Sequence, residues 1–164
     1  MIFHYTESDK MGTPVEIISS RVSVYEIELD LDTWEKADTS QVPEFHDTLQ
    51  DTISSLYNHK CMPGEEGGFL SEVEKGTNFA HVIEHVLLEL IHLADPEKEI
   101  YSGWTRKTGG NKYVIHYSAP DFLTGRIAAI LSIDLVKRLI QGEKPDMDKC
   151  INILREPVNY FTHE

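Results

Sequence analysis

GTNFAHVIEHVLLELIHLA, residues 76–94, is the stretch from which the rest of the chain can be read. Val82, Ile83, Val86, Leu87, Leu90 and Ile91 recur at three- and four-residue spacing, the signature of a helix with a broad apolar face. The spacing predicts a helix over 77–93, with Thr77 as its N-cap and Asp95–Pro96 as its stop. At about 100° per residue from His81, His92 falls at about 20°, His85 at about 40°, Glu89 at about 80° and Glu84 at about 300°. The polar residues therefore form a narrow stripe on an element that is otherwise buried, and buried polar groups need partners.

That stripe carries chemistry. His81 and His85 are one turn apart, so both imidazoles can grip one divalent cation at about 2.0–2.1 Å, the zinc–nitrogen distance. Glu84 stands beside them and can take a proton from water that the cation activates. The order H-x-x-E-H is that of the inverzincin motif. A catalytic zinc normally has three protein ligands. Glu89 shares the stripe and is the first choice for the third, although it lies about 12 Å from His81 along the axis and could instead hold His85 from behind. His59 and Cys61 in the next segment upstream are alternatives, as is Asp134 further on, whereas His92 reads as a helix-end histidine.

Outward from this helix, Tyr25, Ile27, Leu29 and Leu31 alternate with Glu26, Glu28 and Asp30, predicting a half-buried strand over 21–31. Phe45, Leu49, Ile53 and Leu56 predict a helix ending near Asn58. Pro63, Gly64, Gly67 and Gly68 make 59–68 a loop. Downstream, 100–105 and 112–118 predict an antiparallel hairpin turning at Gly109–Gly110–Asn111. A long helix follows over 122–140, closed by Gly142, and 147–154 reads as a short final helix. The expectation is one α+β domain over 1–155, an antiparallel sheet packed on helices, with 156–164 a loosely held tail.

Composition narrows the partners. Twenty-eight acids against fifteen bases give a formal charge of −13, which disfavours nucleic acid and anionic lipid and favours cationic ligands. No stretch approaches the roughly 20 apolar residues of a membrane span. The N-terminal residues show no basic leader with an apolar run, so a cytoplasmic location is expected. The two cysteines, Cys61 and Cys150, are expected to be reduced.

Five strings, RVSVYEIELDL, HKCMPGEEGGF, GTNFAHVIEHVLLELIHLA, SGWTRKTGGNKYVIHY and GRIAA, taken in order across residues 19–142, resemble the N-terminal domain of cyanophycin synthetase. The resemblance implies a two-layer sandwich like that of HxxEH metallohydrolases, with a role in holding an arginine-rich polymer and, in some members, cutting it. It implies His81 and His85 as metal ligands, Glu84 as base, Glu89 as ligand or orienter, and Arg106 as a group for a substrate carboxylate, since a guanidinium binds carboxylates bidentately. The ATP-grasp and Mur-ligase-like modules of the synthetase have no counterpart here, and no GxxxxGK[ST] string occurs, so the polymerising ligase reaction is not expected of this chain. Two readings follow: a zinc-dependent hydrolase of an arginine-containing peptide or polymer, or a non-catalytic module that binds such a polymer, self-associates as a homo-oligomer or serves a separately encoded ligase.

Overall fold

Tyr25, Ile27 and Leu29 are buried while the residues between them are not, and this period-two pattern builds one of the two inner strands of the sheet. The computed structural model describes residues 15–18, 24–61, 64–97 and 101–156. Within them β1 (Val15–Ile18) and β2 (Val24–Asp30) pair antiparallel, and β2 pairs antiparallel with β4 (Lys112–Ser118). The outer partner of β4 is β3 (Gly103–Gly109), giving the order β1-β2-β4-β3. Tyr25 faces Tyr117, Ile27 faces Ile115 and Leu29 faces Tyr113 in register, so three apolar cross-strand pairs form one continuous buried face.

Helices cover that face. The first is α1 (Phe45–Thr52), followed by α2 (Gly68–Lys75), α3 (Phe79–Ala94), α4 (Phe122–Ile140) and α5 (Met147–Arg155). In α3, Val82, Ile83, Val86, Leu87 and Leu90 are fully buried, between the sheet and α4. Truncating any of the larger ones to alanine costs about 2–5 kcal/mol. The architecture is α+β with an antiparallel sheet, as the sequence indicates, and none of the helices described is long and apolar enough to cross a membrane.

Several boundaries differ from the sequence reading. The strand expected over 21–31 forms at Val24–Asp30, with 21–23 outside the described residues. The helix expected to reach Asn58 stops at Thr52, because Ile53 leaves the helical region at φ −133° and ψ 74°, and a 3-10 turn carries the chain over Ser54–Asn58. The cap of α3 is Asn78, whose side chain accepts from the His81 N–H at 3.0 Å. Thr77 turns its hydroxyl to the His81 ring instead. The first hairpin strand starts at Gly103, while the turn at Gly109–Gly110 is where it was expected, with Gly110 at φ 53°. β1, α2 and the short 3-10 turns at Leu31–Thr33 and Thr39–Gln41 have no counterpart in the sequence reading. The tail expected from 156 onward falls outside the described residues but for Glu156.

Candidate metal centre

The 59–61 segment and α2 fold over the polar stripe of α3. Gly67, at φ 75°, starts α2 and sends its N–H to the Tyr57 carbonyl at 2.7 Å, a conformation and approach suited to glycine. Phe69, two residues on, then lies flat against His85, with ring centroids 3.9 Å apart and planes at 17°. Its edge-on contact with His81 has centroids 5.7 Å apart. One aromatic ring thereby fixes both imidazoles.

His81 and His85 turn their Nε2 atoms toward each other at 3.2 Å, and Cys61 Sγ lies 3.4 Å from His81 Nε2. The three donor atoms all fall within 4.8 Å of one another and could hold a metal ion. In a tetrahedral set with metal–nitrogen bonds of about 2.05 Å and a metal–sulfur bond of about 2.3 Å, the nitrogen–nitrogen edge is about 3.3 Å and the sulfur–nitrogen edge about 3.6 Å. The two separations at His81 lie close to those edges, and a thiolate with two imidazoles is a donor set that zinc accepts. Neither Cys61 nor Cys150 forms a disulfide.

Behind the donors, the hydrogen bonds set which ring nitrogens carry protons. His59 Nε2 is 2.6 Å from Glu89 Oε2; an ionised carboxylate only accepts, so this nitrogen bears hydrogen. With one proton per ring, His59 Nδ1 is then an acceptor for His85 Nδ1 at 2.9 Å, and His85 Nε2 keeps its lone pair. His81 Nδ1 faces Thr77 Oγ1 at 3.1 Å and Glu72 Oε2 at 3.6 Å, which likewise leaves its Nε2 for a cation. Burial, with His81 and His59 nearby, pushes the His85 imidazole down to about 2; burial also lowers His81, against the Glu72 carboxylate. For Glu89, burial opposes ionisation, but hydrogen bonds from His59 and Ser55 hold its carboxyl below the usual range.

Glu84 projects to the other side of the stripe. Its Oε2 accepts from Thr105 Oγ1 on β3 at 2.6 Å, and it is 6% exposed. Burial raises its carboxyl above the ordinary glutamate value, with the Thr105 bond opposing. Gly103 makes room for it: a Cβ there would lie 3.2 Å from Glu84 Cγ and 2.9 Å from the His116 carbonyl oxygen. Cys61, His81, His85 and Glu84 open on one cleft of about 1220 Å3, bordered by β3.

Placement of the residues singled out from sequence is thus uneven. His81, Glu84 and His85 share the cleft. Glu89 reaches the centre through His59, and Cys61 completes the three-donor group. Asp134 lies exposed on α4 and does not line the cleft. Arg106 is exposed on β3, one residue out of phase with Thr105, and the structure does not bring it to the others. His92 lies in the last turn of α3 and lines the cleft. Phe69 and Thr105 carry no functional signal in the sequence, since each acts through a contact between distant segments, and Thr77 reads there only as a helix cap.

A family model described as the cyanophycin synthase-like N-terminal domain matches residues 26–141. Among individual proteins, the cyanophycin synthetase of Crocosphaera subtropica is 34% identical over 113 residues, covering 68% of this chain and 13% of that protein. That of Trichormus variabilis is 35% identical over 134 residues, 78% of this chain and 14% of the relative. That of a Synechocystis species is 33% identical over 132 residues, 78% and 15% respectively. The chain spans only about one seventh of the length of these curated relatives, as the 13%, 14% and 15% coverages state.

Proposed function

We propose, on the premise that this chain belongs to the cyanophycin synthase-like N-terminal domain family, that it is a zinc-dependent hydrolase cutting amide bonds in a cyanophycin-related, arginine-containing polymer. Cys61, His81 and His85 are the ligands in this reading, with Glu84 as the proton-transfer group. The observation that supports it most is the pair of donor separations, 3.2 Å between the imidazole nitrogens and 3.4 Å from thiol to imidazole, beside a buried carboxylate in the same cleft. A cation bound there supplies Lewis acidity to the amide carbonyl and to the attacking water.

The chain's own residues divide the remaining work. Glu84 removes a proton from the water as its oxygen bonds to the carbonyl carbon, and delivers that proton to the nitrogen as the C–N bond breaks. Its raised proton affinity suits a group that must both take and return a proton near neutral pH. Thr105 holds the carboxylate in place through its hydroxyl. His59, Glu89 and Thr77 keep the two ligand rings in the tautomer that offers Nε2. The excess of acids over bases favours an arginine-bearing substrate.

The test compares metal-free and zinc-loaded protein on an arginine-containing polymer, following release of shorter chains. Zinc-dependent cleavage that falls by about 100-fold or more in Glu84→Gln supports the reading. Equal inertness of both forms, or cleavage indifferent to Glu84→Gln, sinks it.

A further inference from the structure

β3 forms the sheet edge that borders the cleft, and the phase of its ladder can be read from one bond. Ser118 N–H donates to the Ser102 carbonyl at 2.9 Å. In an antiparallel pair the bonded positions alternate, so in the register Gly103↔Tyr117 and Trp104↔His116 the main chains of Trp104 and Arg106 bond to β4. Those of Gly103, Thr105 and Lys107 turn outward. The opposite side of β4 agrees: Leu31 N–H donates to the Asn111 carbonyl at 2.9 Å, which commits the odd-numbered residues of β4 to β2 in the register Leu29↔Tyr113. Among the described residues, no helix or loop hydrogen-bonds to the outward main chain at 103, 105 or 107.

The same three residues face the reactive groups with their side-chain positions. Thr105 donates to Glu84, Gly103 packs against the Glu84 side chain through its missing Cβ, and Lys107 extends along the cleft over Tyr113. Among the described residues, the outward N–H and C=O groups from 103 to 107 are unpaired, a row about 14 Å long that runs beside the carboxylate. An edge of this kind is a template for one more strand.

We infer that the substrate binds as an extended main chain, an arginine-containing peptide added to the sheet alongside Gly103, Thr105 and Lys107, so that a main-chain amide and not a side-chain amide is presented to Glu84. The acidic surplus of the chain and the carboxylate of Glu72 on the cleft wall match the positive side chains of such a peptide. The identity of the bond cut rests on the hydrolase reading above, whereas strand pairing is a property of binding.

The test uses zinc-loaded Glu84→Gln protein and a fluorescein-labelled arginine-containing hexapeptide, with affinity read by anisotropy. Two further peptides carry N-methyl groups on alternate main-chain amides, one in each phase. The inference expects one phase to weaken binding by about tenfold or more and the other to leave it near the parent value, since only alternate amides of an added strand donate to the edge. Lys107→Pro, which removes one outward N–H and is tolerated on an edge strand, should bind more weakly than Lys107→Ala, with melting temperatures confirming that both variants fold. Equal binding of all three peptides, equal binding by the Pro and Ala variants, or no binding of the parent peptide overturns it. Phase-dependent binding without any turnover by wild-type protein would leave the pairing standing and remove the hydrolase; turnover without phase dependence would do the reverse.

Discussion

Glu89 and His85 sit one helical turn apart on α3, yet they meet through the ring of His59, which spans 2.6 Å to the carboxylate and 2.9 Å to the imidazole. The carboxylate holds one His59 nitrogen protonated, and the proton order passes down the chain until His85 is left with a lone pair facing His81. The sequence offers Glu89 as ligand or orienter, and its bond to His59 supports the second role in the proposed centre.

Glu89→Gln should weaken zinc binding by about 10- to 100-fold while leaving the fold in place, the range seen when partners behind a ligand are removed. Competition against a chromophoric chelator measures this directly. Asp134→Ala, on exposed α4 surface, should bind zinc as the wild type does. An affinity unchanged by Glu89→Gln would mean that the His59 relay does not orient His85.

Adding one carbon at Gly103 should be expensive. The new Cβ would press on the His116 carbonyl oxygen at 2.9 Å and on Glu84 Cγ at 3.2 Å, and backbone cannot yield as a side-chain tip can. Gly103→Ala is expected to cost about 1–3 kcal/mol, the scale of overpacking, and to reduce turnover more than Lys107→Ala does. Urea denaturation with parallel rate measurements checks both; a fully stable, fully active Gly103→Ala protein would contradict the close approach.

Acid should destabilise the metal-free protein. With His85 held down to about 2, its ring stays unprotonated in the folded state where the unfolded chain, near 6.5, takes up a proton, and the lowered His81 acts in the same direction. Stability is therefore full above pH 6.5 and falls as pH drops below it, by about 1.4 kcal/mol per unit from His85 alone. Glu84, with its carboxyl raised by burial, shifts stability the opposite way, so the comparison is cleanest in Glu84→Gln. Its urea midpoint should be lower at about pH 5 than at about pH 7.5, and His85→Gln should shrink the difference. Equal midpoints would contradict the buried neutral rings.

Thr105→Val deletes a hydrogen bond that favours the charged form of Glu84. The carboxyl then rises further, and the acid limb of the rate profile should move to higher pH while zinc affinity stays near wild type. A profile that moves to lower pH, or a loss of metal instead, would show that Thr105 does something other than hold this carboxylate.

Much of this was legible in the sequence because it is local. His81, Glu84 and His85 lie within five residues of one helix, so periodicity alone placed them together, and the alternation around Ile27 and the glycine turn at Gly109–Gly110 marked the sheet. Cys61 was visible as an alternative but could not be chosen, since its place depends on how the 59–61 segment folds back onto α3, which is a long-range fact. The role of Phe69 was hidden for the same reason: α2 is eight residues long and begins within a glycine pair that reads as loop. Thr77 was read as the cap because its type suits that position, yet Asn78 does this task, which leaves the Thr77 hydroxyl for His81. Arg106 was carried over by resemblance, and strand alternation, which decides what shares a face with Glu84, puts Thr105 there instead.

The most direct measurement is the zinc content of protein purified without chelators, for the wild type and for Cys61→Ser, His85→Ala and Glu84→Gln. One zinc per chain in the wild type and in Glu84→Gln, with little or none in the other two, is the result this account requires. Zinc absent from the wild type even after loading, or retained equally by all four proteins, would contradict a centre built from Cys61, His81 and His85.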